Sequence, residues 1–217
     1  TAATGKSNSG SGSYNGCVVE REGPNRYTDA APASGDYVTP LQDKTIWAPC
    51  KDNSEIFPLT NKKSDLTKMV KGWVAGGATA GHLGTAWAWY LLSPNWSSVY
   101  DQDSRPGSYD DLTRTVPNSK IPLLRKIAVL MTDGEYNTQY NSTTSDTQAR
   151  AICAELKKTG IEVFTVGFDI GTSGTAVNTL KACATDDSHF YNATDGNTLK
   201  QAFRDIALKS SPLRIVK

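Results

Sequence analysis

The chain has 217 residues, 38% of them hydrophobic, with 23 Lys and Arg against 22 Asp and Glu and a formal net charge of +1. Near-neutral charge without basic runs excludes an electrostatic footprint for nucleic acid or an anionic membrane, and no apolar run reaches the roughly 18 residues that a membrane-spanning helix needs. The apolar content suffices for one substantial core, or for one domain plus an extended arm.

The opening stretch, T-A-A-T-G-K-S-N-S-G-S-G-S, lacks the apolar centre of a signal peptide and reads as the interior of a longer protein, with any export signal or anchor upstream. Residues 1–55 are rich in Gly, Ser, Pro, Asn and Asp and hold no sustained period, which predicts an irregular arm. Only residues 17–20 (C-V-V-E) and 45–48 (T-I-W-A) are extended candidates within it. Four cysteines, Cys17, Cys50, Cys153 and Cys183, fall into an early and a late pair. None has C-x-x-C spacing and the two histidines, His82 and His189, are far apart, so zinc is not expected. The even count at long separations favours disulfides Cys17–Cys50 and Cys153–Cys183, and hence an oxidising compartment; four buried reduced thiols in a cytosolic protein are the alternative.

Residues 55–60 (E-I-F-P-L-T) read as a short strand that Pro58 confines to a sheet edge. From Ser64 onward Leu66, Met69, Val70, Trp73 and Val74 recur at helical spacing until Gly76-Gly77. Residues 79–92 make a second helix, apolar nearly all round at Leu83, Ala86, Trp87, Trp89, Tyr90 and Leu91, and therefore mostly buried. No basic residues interleave with these aromatics, so they read as core and not as a stacking platform. Residues 93–124 form a polar insertion; Asp101, Asp103, Asp110 and Asp111 lack the alternation of a calcium loop and predict a solvated loop.

Residues 126–137, K-I-A-V-L-M-T-D-G-E-Y-N, organise the rest. The run Ile127 to Met131 is too short for an ordinary helix and too apolar for a half-exposed strand, and predicts a strand buried on both faces of a parallel sheet. Ligands collect at the carboxyl ends of such strands, here Thr132-Asp133-Gly134-Glu135, a hydroxyl and two carboxylates suited to a hard divalent cation. The plainer alternative is a turn after a buried strand. Beyond it lie a helix capped at 144–146 and ended by Gly160, a strand over 161–168, a helix over 175–184, a strand over 189–191 and a helix over 195–209. This alternation predicts an α/β fold with right-handed crossovers, which puts the helices of Cys153 and Cys183 side by side on one sheet face.

Leu130-Met131-Thr132-Asp133-Gly134-Glu135 resembles the strand-end motif of von Willebrand factor A (vWA) domains, and Gly76-Gly77-Ala78-Thr79-Ala80-Gly81 is similar to the loop that precedes it there. More closely, these residues together with Pro58-Leu59-Thr60, Leu91-Leu92-Ser93-Pro94, Lys181-Ala182-Cys183-Ala184 and Pro212-Leu213-Arg214 resemble the carboxyl-terminal half of TadG-like proteins of the tight-adherence (Flp) pilus machinery. The resemblance implies a Rossmann-like parallel sheet flanked by helices, with residues 56–217 as the C-terminal part of the domain, an insertion at 93–124, and residues 1–55 as a disulfide-pinned arm or insertion. It also implies a non-enzymatic, extracytoplasmic adhesion module in the periplasm or on the surface of a bacterium, binding a pilus or envelope protein. A metal-ion-dependent adhesion site (MIDAS) would then hold Mg²⁺, Ca²⁺ or Mn²⁺ through Thr79 and Asp133.

Two departures from the family pattern qualify this. The D-x-S-x-S motif that supplies most of the metal ligands is absent, and so are the two strands that separate the edge strand from the central strand in the family's sheet. Both imply that an upstream N-terminal part of the same protein completes the sheet and the site. A structural pilus protein with a degenerate, metal-free site is the second reading. A metal-dependent hydrolase with Asp133 or Glu135 as base comes last, because no Ser/His/Asp order, nucleophile elbow, phosphate loop or H-E-x-x-H appears.

Overall fold

The computed structural model describes residues 17–33, 35–40, 55–74 and 78–211. Two short strands, β1 (Val18–Arg21) and β2 (Val38–Pro40), pair antiparallel with a register irregularity and form the described part of the arm. Cys17 is buried and disulfide-bonded; Cys50 and the extended candidate at 45–48 lie outside the described residues, as do Gly76 and Gly77.

Charged side chains, Arg21 buried and Asp29 half-buried, hold the arm together and to the body. The Arg21 guanidinium donates to the carbonyls of Asp36 (2.8 Å), Ala30 (2.7 Å) and Ala31 (3.2 Å) and lies over the Trp96 ring. Asp29 accepts from the Tyr109 hydroxyl (2.7 Å), the Asn95 side-chain amide (3.2 Å) and the Ser93 hydroxyl.

Helix α1 (Lys63–Gly72) buries none of its residues, while α2 (Gly81–Leu92) buries His82, Thr85, Ala86, Trp89 and Tyr90. Residues 55–60 do not form the expected strand: Pro58 offers no N–H, and Ile56 and Leu59 stay exposed, so no burial favours pairing there. The insertion is only partly the solvated loop its composition predicts. Asp101, Asp103 and Asp110 are exposed, but Trp96 is fully buried and stacks on Tyr90 at 3.8 Å between centroids, with Trp87 edge-on at 5.6 Å. Lys126, also buried, donates to the carbonyls of Leu92 and Gly107 and so ties the insertion to the end of α2; burial brings its pKa down to about 8 against the pull of Asp29 and Asp111.

β3 (Ile127–Thr132), α3 (Ser145–Lys158), β4 (Glu162–Phe168), α4 (Thr175–Cys183), β5 (Phe190–Ala193) and α5 (Gly196–Ser210) follow the alternation read from the sequence. The strands form a parallel sheet in the order β3-β4-β5, in register from Ile127 opposite Glu162 to Thr132 opposite Gly167. Ala128, Leu130 and Val163 point to the face covered by α2 and α3, where Trp89, Ile152 and Leu156 meet them. Phe164 and Val166 point to the other face, under Ala202 and Ile206 of α5. The Cys153–Cys183 disulfide joins α3 to α4 across a Cα separation of 5.0 Å, as the same-face placement of their helices predicts. Asp195 caps α5 by accepting from the amides of Asn197 (2.7 Å) and Thr198 (2.9 Å).

β3 departs from expectation. It alternates between buried and accessible residues, with Val129 39% and Met131 45% exposed, because α5 packs over β4 and β5 and leaves the same face of β3 uncovered. Its second long edge has no strand partner among the described residues.

Replacing Cys153 and Cys183 together by alanine removes a cross-link spanning 30 residues, and is expected to lower stability by about 3 kcal/mol. Urea denaturation monitored by tryptophan fluorescence measures this; an unchanged midpoint contradicts it.

Candidate functional site

The carboxyl end of β3 is shaped by Thr132, which is buried. Its hydroxyl closes a turn with Gly134, donating to the carbonyl (3.0 Å) and accepting from the amide (3.3 Å). That bonding withdraws the Thr132 hydroxyl from any ligand and turns Asp133 outward, where it is exposed, as is Glu135.

The following loop is fastened to the threonine loop ahead of α2. The Thr79 amide donates to the Asn137 side-chain oxygen (2.9 Å), and the Thr79 carbonyl accepts from the amides of Asn137 (3.0 Å) and Thr138 (3.1 Å). Close by, the Tyr136 ring approaches Gly81 so tightly that a Cβ on that glycine would lie 2.2 Å from it. Burial raises the pKa of Tyr136, and a hydrogen bond with Thr85 works against that rise. The two loops named by the sequence thus meet, and glycine at 81 is what lets them do so.

Neither the Asp133 carboxylate nor the Thr79 hydroxyl is hydrogen-bonded among the described residues. Both are oxygen donors of the kind a hard divalent cation takes, but such a cation needs six or more. No cluster of three or more His, Cys, Asp and Glu able to hold a metal occurs among the described residues. The donor chemistry fits Mg²⁺, Ca²⁺ or Mn²⁺; the donor number requires water and groups from outside the described residues.

A second polar constellation lies beneath these loops. Glu20 of β1, His82 of α2 and Ser145 at the start of α3 form a chain: the Ser145 hydroxyl is 2.7 Å from His82 Nδ1, and His82 Nε2 is 2.9 Å from Glu20 Oε1. A carboxylate only accepts, so Nε2 carries a proton toward Glu20 and, in the neutral ring, Nδ1 accepts from Ser145. Glu20 Oε1 also accepts from the Tyr140 amide (2.6 Å) and, at longer range, from the Gln148 side chain (3.4 Å). Burial works to raise the Glu20 pKa, and the hydrogen bonds from His82 and the Tyr140 amide overcome it, holding the carboxyl at about 2.

Acid, imidazole and hydroxyl in this order form the nucleophilic triad of hydrolases. Here Ser145 and His82 are 0% and 1% exposed, and the adjoining cavity of about 10 Å³ holds one water at most. In this conformation the triad has no room for a substrate. Glu20 and Ser145 carry no sequence signal, since they lie 62 and 63 residues from their histidine. His82 is the satisfied core histidine that its isolation in sequence suggests. His189, with Nδ1 2.8 Å from Asp186 and its ring against Phe164, is satisfied as well.

Residues 110–205 match the family model of the von Willebrand factor type A domain. The match runs from the end of the insertion through β3, the Asp133 loop and the sheet into α5; Thr79 and the arm lie before it. In sequence the chain is 45% identical over 51 residues to the minor fimbrium subunit Mfa5 of Porphyromonas gingivalis, which is 24% of this chain and 4% of that protein. The crystal structure of the vWF domain of the type V pili tip protein Mfa5 is 31% identical with a TM-score of 0.30, over 34% of this chain and 26% of that one. The pilus adhesin SpaC of Lactobacillus rhamnosus GG superposes with a TM-score of 0.47 at 10% identity, over 67% of this chain and 20% of that one. The chain therefore spans a small part of the relatives it resembles.

Gly81→Ala is expected to destabilise by about 2 kcal/mol, because the new methyl displaces the Tyr136 ring. Gly84→Ala, in the same helix with open space at its Cβ, is expected to stabilise by about 0.5–1 kcal/mol. Thermal denaturation of both variants checks the contrast; equal effects would deny the close approach.

Proposed function

We propose that the chain is part of a vWA-type protein-binding module that works in pilus assembly on the bacterial surface or in the periplasm. The supporting observation is the pairing of the threonine loop with the strand-end loop, which holds Thr79 beside the loop of Asp133, with neither donor side chain hydrogen-bonded among the described residues. Similarity to a minor fimbrium subunit supports the pilus setting. The tight-adherence (Flp) assignment rests on the TadG-like sequence resemblance alone.

In this reading Asp133 and Thr79 supply two ligands to Mg²⁺, or to Ca²⁺ or Mn²⁺ in its place, and a carboxylate of the protein partner completes the shell. No catalytic step is assigned to the chain. The partly uncovered face of β3, with Val129 and Met131 accessible, and its unpaired edge favour completion of the sheet by a strand from the upstream part of the same protein. The same segment would bring the missing oxygens. One specific observation favours the second reading, a structural pilus-associated domain with a degenerate site: among the described residues no group of three or more His, Cys, Asp and Glu could hold a metal ion.

Calorimetric titration with Mn²⁺ separates the two, using the chain and a longer protein that includes upstream residues. Saturable binding, weakened by more than about tenfold in both Asp133→Ala and Thr79→Ala, is the expected outcome of the metal reading. Absence of binding in the longer protein leaves the degenerate site. Partner capture that survives EDTA contradicts metal assistance.

A further inference from the structure

We propose that Glu20 is a positioning residue that couples the seating of the arm to the conformation of the strand-end loop. One carboxylate oxygen, Oε1, receives His82 of α2, the Tyr140 amide of the loop and Gln148 of α3. β1 is thereby fixed to three separate parts of the body through a single atom.

Two of those parts bear on the candidate site. His82 is the second residue of α2, three positions after Thr79, and its other ring nitrogen is engaged by Ser145 at the start of α3. Tyr140 closes the loop that leaves β3 at Asp133, and the same loop is held at its middle by Thr79 through Asn137 and Thr138. The loop is therefore held by Thr79 at its middle and by Glu20 at Tyr140, with Gln148 of α3 bonding Asn141 and the Thr143 carbonyl just beyond. With Glu20 withdrawn, the Tyr140 amide and the buried His82 Nε2 lose their acceptor, while Gln148 keeps the Thr143 carbonyl and Asn141. Restoring hydration there requires the loop or the arm to open.

The groups facing this point are few. α2 brings His82 and, along the same small cavity, Tyr90; the arm brings Arg21 and Arg26; α3 brings the uncharged Gln148 and Ser145; the loop brings a backbone amide. Arg21 is occupied by arm carbonyls and by Asp36 at 3.6 Å, which leaves the Glu20 carboxylate as the group whose protonation removes an acceptor from the latch. The Glu20 carboxyl is held at about 2, below its ordinary 4.5. A depressed carboxyl contributes stability that is full above the unfolded value and is lost as pH falls toward the folded one. The latch is thus closed at neutral pH and released in acid, between about pH 4.5 and 2.

The loop seating needs no metal; only its consequence for a cation at Asp133 rests on the function proposed above. The test is therefore run without metal: amide hydrogen exchange of residues 137–140 and of the arm, corrected for intrinsic rates, in the wild type, Glu20→Ala and Glu20→Gln. At pH 7 Glu20→Ala is expected to speed exchange at Asn137, Thr138 and Tyr140 by at least about tenfold, together with exchange in β1. Glu20→Gln keeps an oxygen at the Oε1 position that accepts from both the Tyr140 amide and His82 Nε2 in the same tautomer, so it is expected to restore most of the protection. It is also expected to lack the acid-dependent rise in exchange that the wild type shows below about pH 4.5. Opening of the arm alone, with residues 137–140 still protected, overturns the coupling. Where the alanine variant does not fold, the acid profile decides: the same rise in wild type and Glu20→Gln also overturns it.

Discussion

The close approach of the Tyr136 ring to Gly81, locked by the backbone exchange between Thr79 and the Asn137–Thr138 segment, is the constraint on which the functional reading depends. A buried strand delivers Asp133 to the carboxyl end of a parallel sheet, where ligands of α/β folds bind. That alone would leave a lone carboxylate on a turn. The approach at Gly81 supplies the second loop and sets its threonine beside the first. Any side chain larger than a hydrogen at that glycine displaces the Tyr136 ring, so this close contact depends on the absence of a single Cβ.

The arm belongs to this arrangement. Glu20, Arg21 and Asp29 are charged side chains engaged by body or arm groups on nearly every side: Glu20 by His82 and the Tyr140 amide, Arg21 by arm carbonyls, Asp29 by Ser93, Asn95 and Tyr109. Glu20 and Arg21 are buried and Asp29 is half-buried; a buried charge that loses its partners is strongly destabilising, so the contacts of Glu20 and Arg21 above all specify where the arm sits as well as holding it there. The apolar layer beneath, in which Trp96 stacks on Tyr90, shows why the insertion is as much a part of the core as the helices it joins.

Much of the fold was legible from periodicity. The three strands, the last three helices with their Gly160 stop, and the Cys153–Cys183 bridge all follow from local signals or from the crossover rule. The two loops carrying Thr79 and Asp133 were visible through a family resemblance, and the structure joins them. What was not legible depends on who the neighbours are. An apolar run announces burial without saying what covers it, so β3 read as buried on both faces although Val129 and Met131 are accessible. Residues 55–60 had strand composition, but Ile56 and Leu59 stay exposed and no burial favours pairing there. The triad of Glu20, His82 and Ser145 is assembled by tertiary packing of an arm, a helix N-terminus and another helix N-terminus, and nothing in the spacing of those residues announces it.

The proposal that stands most open to test is that Thr79 and Asp133 share a divalent cation. The most direct measurement is paramagnetic broadening by substoichiometric Mn²⁺ in amide spectra of the isotopically labelled protein, extended upstream. The account expects selective loss of signal at Thr79, Ala80 and residues 133–138, reversed by EDTA. Uniform or absent broadening in that protein would contradict it.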